Sequence, residues 1–143
     1  TPEIYNFASA INPGINKIAK KIIVGDIMNL EELKDIAKKI NPDFAIVGPD
    51  DPIGIGATDA LLELGIKSFS PNKKCAQLEG SKAFTRDLLA KYNIAGSPDY
   101  LVIKTEDEAP KNLARNFFDK FNGQIVVKAD GLLGGKGVLV ADE

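Results

Sequence analysis

Apolar residues fall along this chain in short runs whose spacing changes from segment to segment. Residues 3–7 read as a short strand, followed by the turn Asn12-Pro13-Gly14. The β-branched run Ile22-Ile23-Val24 predicts a second strand, closed by Gly25-Asp26. Asn29 stands three residues before Glu32, the spacing of a capping box. Leu30, Leu33, Ile36, Ala37 and Ile40 then recur at helical intervals, and Asn41-Pro42 ends that helix. Phe44-Ala45-Ile46-Val47 is a continuous apolar run, as expected of a strand covered on both faces. The stretch Gly48-Pro49-Asp50-Asp51-Pro52 is hostile to regular structure. A second helix is predicted through Ala57, Ala60, Leu61 and Leu64, with Gly65 just past its end, and a further strand over residues 66–69. Strands alternating with helices predict an α/β fold with a parallel sheet and right-handed crossovers.

The texture changes after Pro71. A short helical segment through Cys75, Gln77 and Leu78 reaches Gly80, and Ser81 is placed to cap a helix running to Tyr92. Beyond Gly96-Ser97-Pro98 the pattern predicts a strand over residues 100–103 and a capping box from Thr105 and Glu108. A helix carrying Leu113, Phe117, Phe118 and Phe121 follows. Asn122-Gly123 turns the chain into an apolar strand ending at Lys128, and a second strand occupies residues 138–141.

Composition narrows the chemistry mainly by absence. The 143 residues are 44% hydrophobic and 27% charged, with 18 basic against 20 acidic residues and a net charge of −2. That balance gives no bulk electrostatic footprint for nucleic acid or for a membrane surface. The chain contains no histidine, which excludes a Ser-His-Asp triad or a His-ligated zinc within it. Its one cysteine, Cys75, cannot form an internal disulfide. No signal-peptide pattern and no membrane-length apolar run is present, so a cytoplasmic protein is the expectation. The start at Thr1 without methionine and the stop at Glu143 after an apparent strand suggest a fragment. Nothing in the sequence specifies an oligomeric state.

The candidate chemistry lies in Lys128-Ala129-Asp130-Gly131-Leu132-Leu133-Gly134-Gly135-Lys136-Gly137. Glycines let backbone amides approach an anion closely, and lysines add mobile positive charge. The spacing is not that of a Walker A loop, because only three residues separate Gly131 from Gly135-Lys136 and Gly137 follows the lysine. Nor is it a Rossmann fingerprint, since the loop leads into a strand and not a helix. What remains is a glycine-rich hairpin, either a flap over phosphate or a merely mobile turn. Lys128 ends an apolar strand whose neighbours are expected to face a core; its ammonium either points into an adjoining cleft or snorkels to solvent.

Several segments resemble glycinamide ribonucleotide synthetase (phosphoribosylamine–glycine ligase), of the ATP-grasp superfamily. The most specific is Ala76-Gln77-Leu78-Glu79-Gly80-Ser81-Lys82-Ala83-Phe84. Ile46-Val47-Gly48-Pro49-Asp50 resembles the family's Val-Gly-Pro-Glu turn, with Asp50 where glutamate is usual. Val127-Lys128-Ala129-Asp130-Gly131 and Gly135-Lys136-Gly137-Val138 resemble its nucleotide flap, and Asn12-Pro13-Gly14 matches a turn after its second strand.

The resemblance implies an open parallel-sheet (pre-ATP-grasp, Rossmann-like) substrate-side domain over residues 1–80, incomplete at its start. Residues 81–143 would be a linker helix and the first part of an ATP-grasp α+β domain, incomplete at its end. It implies ATP-dependent joining of glycine to 5-phosphoribosylamine through a glycyl phosphate, in purine biosynthesis, with magnesium or manganese on the nucleotide phosphates. By the same resemblance Lys82 and Lys128 reach those phosphates, Gly134, Gly135, Lys136 and Gly137 form the flap, and Pro49 and Asp50 face phosphoribosylamine. Asp50 read alone is a turn aspartate, and Lys82 read alone is a lysine in the first turn of a helix, an unfavourable place for a cation. Ser81 reads as a helix cap before a ligand contact. The family's opening strand, its Gly-Gly-Arg-Glu-His turn and its metal-binding acidic residues and asparagine are not among the 143 residues. The expectation is therefore that this polypeptide alone is not catalytically competent and that metal ligands lie outside it. Two alternatives stand beside the ligase: another ATP-grasp enzyme, such as a biotin carboxylase or carbamoyl-phosphate synthetase relative, and a non-catalytic nucleotide-binding module.

Overall fold

The computed structural model describes residues 1–141; Asp142 and Glu143 lie outside the described residues. The chain divides into two compact units, Thr1–Gln77 and Leu78–Glu143.

In the first unit, β1 (Tyr5–Ala8) pairs in parallel with β2 (Lys21–Val24), from Tyr5 opposite Lys21 to Ala8 opposite Val24. The turn Asn12-Pro13-Gly14 proves to be the start of a one-turn helix, α1 (Pro13–Asn16). Asn12 caps it by accepting from the amides of Gly14 and Ile15 at 2.8 and 3.2 Å. Proline suits the first position because its missing amide would have had no partner there. The helix α2 (Leu30–Ile40) begins at Asn29, whose side chain accepts from the amides of Glu31 and Glu32, each at 3.1 Å. The reciprocal arm of the capping box is not made. Glu32 instead reaches the Asp26 amide at 3.2 Å, which ties α2 to the end of β2. Glu31 and Glu32 at one end, Lys38 and Lys39 at the other, complement the helix dipole.

A second parallel pair, β3 (Phe44–Ala45) with β4 (Lys67–Ser68), is shorter than the apolar runs that predict it. Past Ala45 a side chain takes over the pairing: Ser70 Oγ accepts from the Val47 amide at 2.9 Å and donates to its carbonyl at 2.8 Å. Nor is β3 covered on both faces. Ala45 and Val47 pack against the core, whereas Phe44 and Ile46 are 63% and 68% exposed. Parallel pairing thus follows the strand–helix alternation, but among the described residues it forms two separate two-stranded ladders.

Helix α3 (Asp50–Ile55) begins inside the stretch expected to be irregular and runs past it. Its first-turn amides need no intrahelical acceptor, so Pro52 is tolerated, and Asp50 and Asp51 suit the positive end. The chain turns left-handed at Gly56 and continues as α4 (Ala57–Glu63). Beyond α4, Ile66 N donates to Leu61 O at 3.0 Å and Gly65 N to Leu62 O at 2.9 Å, the paired bonds of a Schellman motif. Gly65 has φ +78, and the motif brings Ile66 back onto Leu61. Those two residues, with Ala37, are the buried centre against which Leu33, Ala45, Val47 and Leu64 pack.

Helix α5 (Lys73–Gly80) spans the division between the units, and α6 (Lys82–Lys91) follows, with Asn93 in a left-handed turn after it. Residues 100–103 form no strand; no described strand pairs with them, and Leu101 and Ile103 stay partly exposed. Of the second capping box neither arm is made. Thr105 Oγ1 bonds Glu106 Oε2 at 3.2 Å, and α7 (Pro110–Lys120) starts four residues later, at Pro110 after a left-handed Ala109. Asn122 and Gly123, both at positive φ, turn the chain into β5 (Ile125–Lys128), which pairs antiparallel with β6 (Val138–Ala141).

Two substitutions separate packing from backbone in the first unit. Leu61→Ala is expected to destabilise it by about 3 kcal/mol through the cavity it leaves. Gly65→Ala has open space around its new methyl, so only the left-handed conformation costs, about 1 kcal/mol. Urea unfolding midpoints, with unchanged m values, check both.

Candidate functional site

The glycine loop is a hairpin, as the pattern between residues 128 and 138 predicts. Lys128 lies opposite Val138, and one further bond, Ala129 N to Gly137 O at 3.0 Å, carries the ladder into the loop. A turn closed by Lys136 N to Leu133 O at 2.9 Å forms the tip. Gly131, Gly134, Gly135 and Gly137 all have positive φ, between +56 and +110. Around Gly131, Gly134 and Gly135 an added Cβ would meet nothing within 4 Å. These three are therefore required by backbone direction and not by internal crowding, and the space beside them is open to a ligand. Gly137 differs, since a Cβ there would come within 2.7 Å of Leu133 Cδ1.

Helix α6 meets the loop at its base. Ser81 caps the helix, its Oγ accepting from the Phe84 amide at 3.1 Å. The first turn of α6 contains no acidic residue of its own. Asp130 supplies one from the hairpin: Oδ1 accepts from the amides of Lys82 and Ala83 at 2.6 and 3.3 Å, and Oδ2 from the Ser81 hydroxyl at 2.8 Å. One residue on, Lys82 Nζ donates to the Gly131 carbonyl at 2.9 Å. Lys82 thus stands in a helix turn whose dipole disfavours a cation; the Asp130 carboxylate offsets the positive end at the backbone amides, while the Lys82 ammonium bonds the Gly131 carbonyl. Partial burial pushes the Asp130 carboxyl upward, but the Ser81 hydroxyl and the amides of Ala83, Lys82 and Gly131 outweigh it and hold the group below the usual carboxylate range.

The structure therefore brings Lys82 against the start of the loop that holds Gly134, Gly135, Lys136 and Gly137. Lys128 and Lys136 are exposed. The neighbours of Lys128 do not face a closed core, contrary to expectation: Val126 and Val127, on opposite faces of the ribbon, are each 51% exposed. Pro49 and Asp50 belong to the first unit, where Pro49 precedes α3 and Asp50 opens it, just past β3. Asp130 is not conspicuous among the residues taken one by one. The signal was available in α6, whose first turn Lys82-Ala83-Phe84 lacks an acid and so calls for an anion from elsewhere. Among the described residues, no three His, Cys, Asp or Glu side chains converge as a metal site.

Comparison with known proteins covers the chain end to end. Residues 2–79 match the phosphoribosylglycinamide synthetase N domain, and residues 80–143 the phosphoribosylglycinamide synthetase ATP-grasp (A) domain. A phosphoribosylamine–glycine ligase of Methanococcus vannielii is 42% identical over 144 residues, covering 99% of this chain and 32% of that protein. The phosphoribosylamine–glycine ligase of Thermotoga maritima superposes with a TM-score of 0.63 at 28% identity, covering 92% of this chain and 28% of that one. The biotin carboxylase domain of Hydrogenobacter thermophilus 2-oxoglutarate carboxylase, solved with MgADP, ADP and bicarbonate, superposes at 0.73 with 17% identity, covering 97% of this chain and 32% of that one. At that identity the likeness is one of fold. The chain spans about a third of the length of the curated relatives it matches.

An NMR pH titration checks the Asp130 environment. Its carboxyl is expected to titrate below the ordinary range, and Ser81→Ala to move it back up. Because the folded-state value is the lower one, the contribution of this cap to stability is present above the unfolded pKa and is lost as pH falls through the folded one.

Proposed function

The chain belongs to the phosphoribosylglycinamide synthetase family, and on that premise we propose that its residues form the nucleotide-flap side of an ATP-dependent ligase joining glycine to 5-phosphoribosylamine. The observation that carries this reading is the hairpin of positive-φ glycines whose base is bonded to the start of α6, beside Lys82. In the proposed reaction the glycine carboxylate attacks the γ-phosphorus of ATP, releasing ADP and leaving glycyl phosphate. The amine of phosphoribosylamine then attacks the glycyl carbonyl, forming the amide and releasing phosphate.

The residues of this chain bind and orient. Lys82, Lys128 and Lys136 offer point charges to phosphate oxygens, and the loop backbone offers amides. An ammonium has three donors, so Lys82 can keep the Gly131 carbonyl while also holding a phosphate oxygen. Pro49 and Asp50, just past a parallel strand, are proposed to face phosphoribosylamine, as ligands collect at that end of open α/β sheets. ATP is proposed to enter with magnesium, or with manganese in its place. Among the described residues no three acidic or thiol side chains converge to hold that ion.

In the full-length ligase carrying these residues, ADP release is expected to require both glycine and phosphoribosylamine. Release supported by bicarbonate instead would contradict the reading in favour of a carboxylase-type enzyme. Lys82→Met and Lys128→Met should each lower kcat/KM for ATP by about a hundredfold. The 143-residue polypeptide alone is expected to show no steady-state turnover; normal turnover would refute that part of the proposal.

A further inference from the structure

We infer that Asp130 is a positioning residue for nucleotide binding, a tether that fixes where the glycine hairpin stands relative to Lys82. The inference rests on the nucleotide reading of the loop given above. Four bonds join residues 81–83 to residues 130–131: Asp130 to the Lys82 amide, the Ala83 amide and the Ser81 hydroxyl, and Lys82 Nζ to the Gly131 carbonyl. An ordinary helix cap is local, and α6 already has one in Ser81. Asp130 comes from 48 residues away and opens the loop itself. The other backbone bonds of the loop, Ala129 to Gly137 and Lys136 to Leu133, are internal to the hairpin and do not locate it. Apolar packing does little more, since Val126, Val127, Val138 and Val140 are each about half exposed.

Occupation of the helix start has a second consequence. The Lys82 and Ala83 amides are already bonded to a carboxylate, so phosphate cannot take them without displacing Asp130. The tether therefore directs phosphate to the Lys82 side chain and the loop, and away from the α6 N-terminus.

The test uses the full-length ligase with Asp130→Ala, Asp130→Asn and Ser81→Ala, reading KM for each substrate, kcat and amide exchange at Lys82 and Ala83. Asp130→Ala is expected to speed exchange at both amides and to raise KM for ATP about tenfold, with KM for glycine unchanged. Asp130→Asn, which keeps one acceptor oxygen, should recover part of that loss. If Asp130→Ala does not fold, Asp130→Asn decides alone, with an expected rise in ATP KM of about threefold. Faster exchange with unchanged ATP KM would reduce Asp130 to a helix cap and overturn the inference, as would an equal rise in KM for all substrates. A wild-type enzyme without glycine-dependent ATP use is a different result: it removes the functional reading, and the inference with it.

Discussion

The first amides of an α-helix have no acceptors inside the helix, and α6 meets that constraint with a carboxylate from the hairpin 48 residues further along. Bonds between a carboxylate and helix-start amides are charge-assisted and aligned with the dipole, so they outweigh an exposed ion pair of similar length. The same carboxylate opens the glycine loop. One interaction therefore completes the helix and places the loop, and Lys82 stands at their junction because it is the first residue of the one and bonds the other. An isolated two-stranded ribbon is marginal in water, which makes a polar tether at its base more consequential than it would be in a wider sheet.

The first unit is organised by a helix end of the other kind. The Schellman bonds after α4 turn Ile66 back onto Leu61, and the strand that follows is thereby set beside β3. Its buried centre is small, and each short parallel pair is prolonged or anchored by a side chain: Ser70 beyond β3, and Glu32 at the end of β2. Pro49 and Asp50 inherit their position from this arrangement, since α3 begins where β3 runs out.

Much of this was legible from residue pattern. Asn29, Asn41, Gly65 and Ser81 end or begin helices where their chemistry says they should, and the Lys128–Val138 hairpin follows from glycines set between apolar runs. The misses share a cause. Residues 100–103 and the Thr105–Glu108 pair carry correct local signals, but a strand needs a partner and a cap needs the helix to start at the right residue. Likewise the apolar run 44–47 could not reveal that one of its faces is open. Asp130 escaped residue-by-residue reading because its partners are distant in sequence, while the helix that needs it advertises only a lack.

Lys82, Lys128 and the glycine hairpin are proposed to receive together the phosphates of a nucleotide. Affinity labelling of the proposed full-length ligase with a nucleotide bearing a lysine-reactive aldehyde at its phosphate end tests this directly. Modification is expected at Lys82, Lys128 or Lys136, suppressed by ATP with magnesium. Labelling confined to lysines of the first unit, or labelling of these three that ATP does not suppress, would contradict it.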